Sequence, residues 1–187
     1  MKLQEYNSPD RYIRKTESFD SGYFVVHCQS QQQSRLLMHA SELHVDKTFS
    51  RTKCRELEFN IFDPVACKIA TVTRVFTDFE DEEGYFQAFK LVFDQAEKDM
   101  QCRVPFGHIF RSDNESPTGT RIKAILVDEH GGQIKGLAKY FEHKYPSDEG
   151  KVHVLRIVKT CDVHYERSIQ GLQGKGVDKC TSTLLSS

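Results

Sequence analysis

The amino-acid sequence predicts an α/β fold built on a mixed β-sheet. Three observations predict it. The run "CRELEFNIFD" (54–63) alternates apolar and polar residues with the period of a half-buried strand, and strand-like runs flank it across short connections. Apolar residues from Phe86 to Met100 recur at helical spacing. Further on, the apolar run "RIKAILVDEH" meets two glycines and a helical pattern, and a second strand-then-helix pair follows it.

Taken in order, residues 1–20 form a polar N-terminal segment expected to be partly disordered. "GYFVVHCQ" (22–29) reads as a short strand. "SQQQSRLLMHASE" reads as a helix capped by Ser30 or Ser34, with Leu36, Leu37 and Ala40 on its apolar side. Runs 42–50, 54–63 and 67–77 should pair as an antiparallel meander. In the middle run Leu57, Phe59 and Ile61 face one way and Glu56, Glu58 and Asn60 the other. Asp63-Pro64 ends that run, and the last is rich in β-branched residues. The acidic segment 78–83 opens a helix, because negative charge is favoured at a helix N-terminus. Phe86, Phe89, Val92, Phe93, Ala96 and Met100 give that helix one apolar face, read as packing against the sheet rather than as a cofactor stripe.

Residues 102–120 form a long loop, of the kind that is often functional or disordered. "RIKAILVDEH" then reads as a buried strand, "GGQIKGLAKYFEHKYP" as a helix stopped by Pro146, "KVHVLRIVKTC" as a strand and "DVHYERSIQGL" as a helix. The tail from Gly174 has no periodicity. From the meander onward the order is β-β-β-α-β-α-β-α. Right-handed crossovers place the strand ending at Asp128 parallel to, and beside, the strand carrying Asp46, with helices on both faces. This is a ribonuclease H-like layout. The expected organisation is one such core over 21–173 and a disordered tail over 174–187.

Composition narrows the function. The chain has 187 residues, 38% hydrophobic content and a net charge of −1, enough for one domain with a real core and too little positive charge for a strongly basic nucleic-acid binder. No apolar run approaches the ~18 residues of a membrane span, and the N-terminus has no secretory pattern. The six cysteines are scattered without a CxxC pair, which predicts reduced thiols in a cytoplasmic or nuclear protein.

Asp46 and Asp128 are the candidate catalytic residues. If the two strand registers match, neighbouring strands ~4.8 Å apart bring the carboxylates together, and such a pair suits Mg²⁺ or Mn²⁺ with retained waters. Read locally, Asp128 caps the following helix and Asp46 is a solvated strand residue. A helicase-like reading of "VDEH" fails for want of an upstream phosphate-binding GxxxxGK[ST] loop. Cys161 and His164 form a CxxH pair, half of a zinc site, with packing as the expected role. Lys47, Arg51, Lys53 and Arg55 cluster at the first hairpin, as a solvated end or as a contact to a DNA backbone.

Together, "LHVDKTFSR", "ILVDEHGGQIKGLAKYF" and "LRIVKTCDVHYERSI" resemble, in order and spacing, the catalytic region of Mutator-like element (MULE) transposases, most closely a divergent fungal branch. The resemblance spans roughly Tyr12 to Leu172. It implies a ribonuclease H-like fold in which three acids bind divalent metal for DNA strand cleavage and joining. Asp46 matches the first acid, Asp128 the second, and Cys161 and His164 the CxxH signature. Gln133, Gly136 and Leu137 match packing residues of the helix after the second acid. The family's third acid lies well beyond the CxxH motif. Glu166 stands in the wrong place for it and Asp178 lies in the unpatterned tail, so no third acid is assigned. The expectation is a truncated or inactive copy of the DNA-cleaving core, or alternatively a binding module for DNA or protein that keeps the fold.

Overall fold

The computed structural model describes residues 11–18, 23–48, 54–128 and 131–160. The elements run β1 (Ile13–Ser18), β2 (Phe24–Cys28), α1 (Gln31–Met38), β3 (Glu42–Thr48), β4 (Arg55–Asp63), β5 (Lys68–Thr77), α2 (Glu82–Met100), β6 (Ala124–Val127), α3 (Gly131–Lys144), α4 (Gly150–Ile157) and β7 (Val158–Thr160). All seven strands join one mixed sheet in the order β1-β2-β5-β4-β3-β6-β7. The meander β3-β4-β5 is antiparallel, and β6 lies parallel to β3. β7 continues the parallel set beside β6.

Local chemistry sets the helix starts. Ser30 caps α1 by accepting from Gln33 N at 3.2 Å, and Gln33 Oε1 accepts from Ser30 N at 2.8 Å, a reciprocal capping box. Asp81 caps α2 by accepting from Gly84 N at 2.9 Å. The predicted alternation of β4 is present: Leu57, Phe59 and Ile61 are buried beneath the helices. Phe59 meets Phe89 and Phe93 of α2 edge-on, at centroid distances of 5.7 and 6.3 Å. Phe93 then meets Phe106 and Tyr140, each at 5.1 Å, so one aromatic cluster joins sheet, α2, the following loop and α3. That loop is anchored. Arg121 donates to the carbonyls of Phe110 and Arg111 at 3.0 and 2.6 Å, and Thr118 Oγ1 donates to Met38 O at 3.0 Å.

Four expectations change. The polar opening segment contributes β1. Its side chains are mostly exposed, so it carries no burial alternation, and it is held instead by pairing with β2 and by Arg14. Arg14 and Asp99 form an ion pair at 3.0 Å with both side chains 9% exposed. Second, residues 150–157 are helical rather than extended, and only Val158–Thr160 form the strand. Their valines favour a strand, but burial of His153, Val154 and Ile157 against α3 follows helical spacing and overrides propensity. Third, among the described residues the helical layer lies on one face of the sheet only, with α2 packed on α1 and α3, and α4 on α3. The helix expected after Cys161 lies outside the described residues. Fourth, residues 102–120 are ordered, with a single 3₁₀ turn at Asp113–Glu115.

Gly136 fixes the spacing of α2 and α3. A Cβ there would stand 2.4 Å from Tyr85 Cβ and 2.8 Å from Phe86 N. Gly136→Ala is therefore expected to force the helices apart and to cost about 1–3 kcal/mol despite the higher helix propensity of alanine, as read from the midpoint of urea unfolding. A buried polar chain ties β1, β2, α1 and α2. His27 Nε2 donates to Gln29 Oε1 at 2.9 Å, Gln29 Nε2 to Ser34 Oγ at 2.9 Å, and Ser34 Oγ to Asp99 Oδ2 at 2.6 Å. Burial pushes the His27 imidazole down to about 4. The folded chain then binds fewer protons than the unfolded chain between about pH 4 and 6.5, so stability falls as pH drops through that window, by roughly 3 kcal/mol from this residue. His27→Gln keeps a donor and cannot titrate, and is expected to flatten that part of the acid slope.

Candidate functional site

Asp46 belongs to β3 and Asp128 directly follows β6. Leu43, Val45 and Lys47 turn toward the helical layer, and the alternate residues His44 and Asp46 toward the opposite, open face. β3 and β6 pair with Val45 opposite Val127, so the residue following each of these neighbours is an aspartate. Both aspartates line one cavity of about 390 Å³, with His44, Asn60, Phe62, Ile69 and Leu126. Its far end is apolar: Phe62 and Ile69 are cross-strand partners, 56% and 74% exposed.

The surroundings explain how the acids are held. Gln133, in the first turn of α3, donates to Val45 O at 3.3 Å and pins α3 beside Asp46. Tyr85 lies beneath the site. Burial pushes its hydroxyl up to about 12, with the Arg55 guanidinium opposing and the Asp128 carboxylate adding to the shift.

Glu58 stands directly opposite Asp46 across β3-β4, so a row of acids crosses three strands: Glu58, Asp46 and Asp128. Arg74 Nε holds Glu58 at 3.0 Å and Glu56 at 3.1 Å, placing one cation beside the row. Sequence reasoning missed Glu58 and Arg74 as neighbours of the site. The β4 alternation puts Glu58 on the polar side, but the register that sets it opposite Asp46 depends on the turn geometry between β3 and β4.

The basic cluster divides. Lys47 faces away from Asp46, into the helical layer. Its side chain is 6% exposed, with Nζ 3.5 Å from Glu80 Oε1 and 5.3 Å from the Tyr85 ring centroid. Arg55 also pairs with Glu80. The expected contact of Lys47 with a DNA backbone is thus corrected: the strand pleat buries its ammonium on the wrong side of the sheet. Arg51, Lys53, Cys161 and His164 lie outside the described residues. Gly136 and Leu137 pack in the interhelical contact, and Gln133 adds its hydrogen bond to β3.

Among the described residues no group of three or more His, Cys, Asp or Glu side chains is placed to hold a metal ion. Two adjacent carboxylates on an open face fit a Mg²⁺ or Mn²⁺ ion that keeps several waters; a paired-metal centre needs a further acid. No family model, no curated protein and no solved structure matches the chain. No described helix is long and apolar enough to cross a membrane.

Burial, with Arg55 acting in the same direction, pushes the Lys47 ammonium down to about 8. A lysine lowered in the folded state binds fewer protons there than in the unfolded chain between about pH 8 and 10.5, so stability should rise with pH across that window. Lys47→Met keeps the apolar stem and removes the charge. It is expected to flatten that rise and to leave stability at pH 7 unchanged or higher, measured by chemical denaturation at pH 7.5 and 9.5.

Proposed function

We propose that this chain is a ribonuclease H-like domain of the MULE transposase type, descended from enzymes that cleave and transfer DNA strands with divalent metal. The observation that carries the reading is the neighbouring placement of Asp46 and Asp128, at matched positions of two parallel strands and on one open face. The strand order β5-β4-β3-β6-β7 supports it, because an antiparallel three-stranded meander extended beyond its first strand by two successive parallel strands is the order expected of a ribonuclease H-like sheet. Asp46 and Asp128 would hold Mg²⁺ or Mn²⁺ together, Gln133 fixes the backbone immediately before Asp46, and Arg74 keeps Glu58 neutralised beside them. The bound cation would neutralise a DNA phosphate and polarise the attacking oxygen.

Two described acids favour cation binding over fast turnover. The resemblance implies a third acid, and every ~1.4 kcal/mol of lost transition-state stabilisation lowers the rate tenfold. A non-catalytic module for DNA or protein is the second reading. The two described members of the basic cluster, Lys47 and Arg55, converge on Glu80, which argues for a protein partner over DNA within that reading. As a transposase relative, the chain would work in the nucleus.

Mn²⁺ titration followed by electron paramagnetic resonance, together with nicking of supercoiled plasmid, tests the assignment. Asp46→Asn and Asp128→Asn are each expected to lose the bound Mn²⁺, and any Mn²⁺-dependent nicking should vanish in both. Mn²⁺ binding and nicking that survive both substitutions would sink the site. DNA retained in EDTA, with no nicking at any metal concentration, would favour the binding module.

A further inference from the structure

The cavity that holds Asp46 and Asp128 has a second end that the acids do not use. Phe62 of β4 and Ile69 of β5 are cross-strand partners there, both largely exposed, and Leu126 of β6 lines the same cavity. Glu58 stands opposite Asp46, and Phe62 follows Glu58 by four residues on the same side of β4, a run of about 13 Å. Two hydrogen-bonding side chains line the stretch between. Asn60 Oδ1 accepts from Thr71 Oγ1 at 2.8 Å, which turns the amide so that its Nδ2 donors are left for another group. His44 stands opposite Asn60 and has no hydrogen-bond partner among the described residues.

Carboxylates at one end, an aromatic ring at the other and hydrogen-bonding groups between them suit one small amphipathic unit, in a cavity of about 390 Å³. A nucleotide is such a unit, with an anionic phosphate and a base that has flat apolar faces and polar edges. We propose that this cavity seats one unpaired nucleotide of a DNA strand, its phosphate at the Asp46–Asp128 end and its base against Phe62. The substrate is then a single-stranded or frayed segment rather than intact duplex. The inference rests on the reading of Asp46 and Asp128 as a cation site for DNA, since without the cation the carboxylates repel a phosphate. Duplex DNA cannot use Phe62, because its bases stack on each other and show only their edges in the grooves. An unpaired base offers a free face, and stacking on an aromatic ring tolerates any base. Asn60 and His44 offer hydrogen bonds to the polar edge of that base, and Leu126 and Ile69 wall it from water. Phe62 is in this way a specificity-determining residue and takes no part in the chemistry.

The test measures binding of a short DNA single strand, and of its duplex, to the full chain in Mn²⁺ by fluorescence anisotropy. The single strand is expected to bind the tighter. Phe62→Val keeps the strand preference and removes the ring. It should weaken single-strand binding about 5- to 100-fold and leave both duplex binding and the bound Mn²⁺ unchanged. Phe62→Tyr restores a ring and should bind like the unsubstituted chain. Mn²⁺ that fails to bind at the acids removes the cation reading and this inference with it. Mn²⁺ bound there, with a single strand indifferent to Phe62→Val, removes the base subsite alone. Duplex bound as tightly as the single strand, or neither form bound, also overturns it. Displacement of the strand by an equal concentration of a deoxynucleoside monophosphate would make a free nucleotide the ligand and overturn the strand assignment. A dimer that Phe62→Val dissolves would give the apolar end to a second copy of the chain, with the same result. Strand and duplex are compared on the unsubstituted chain, so that outcome stands whether or not a variant folds.

Discussion

The parallel hydrogen-bonded pairing of β3 with β6 is the constraint on which the rest depends. It joins the antiparallel half of the sheet, β1 to β5, to the parallel half, and four residue pairs carry it, from Glu42 opposite Ala124 to Val45 opposite Val127. Parallel strands require a long connection, here the meander, α2 and the loop to Ile122. A slip of one residue would send Leu126 and Asp128 to the helical side and Ile125 and Val127 to the open side. The pairing is held by apolar residues that tolerate no such slip: Leu43, Val45, Ile125 and Val127 are all buried. The acids therefore inherit their placement from the core beneath them.

Much of this was legible in the sequence, and the reasons differ by element. The meander, α2 and α3 could be read because burial of one face imposes a period on Leu57, Phe59 and Ile61, and on Phe86, Phe89 and Phe93. The parallel placement of β6 beside β3 could be read because chain order and crossover handedness leave few other arrangements. β1 was hidden because it is the outer strand among the described residues, with no buried face to pattern its side chains. α4 was hidden because Val152 and Val154 favour a strand in isolation, and only the surface of α3 decides otherwise. Lys47 was read on the wrong side of its strand, and Glu58, correctly set on the polar face of β4, was not read as the neighbour of Asp46: residue type is visible in a sequence, but the cross-strand partner belongs to the folded chain.

The aromatic cluster shows how few residues connect the layers. Phe93 touches Phe59 of the sheet, Phe106 of the loop and Tyr140 of α3. Gly136 permits the close contact in which that cluster forms, since a side chain there would strike the first turn of α2. The same turn carries Tyr85 beneath Asp128. Helix spacing and the setting of the candidate site are thus one mechanical unit.

The pairing of β1 with β2 shifts register between Ile13 and Lys15, leaving Arg14 as the extra residue of a bulge. An outermost strand offers unpaired amides and carbonyls to any other extended chain, and regular, uncharged borders recruit their own kind. Here the kink re-aims Arg14 inward toward Asp99, while Lys15 and Glu17 set opposite charges along the rim. An incoming strand would meet a bent, ionised border that it could not follow in register, so this side of the sheet discourages end-to-end stacking into fibrils.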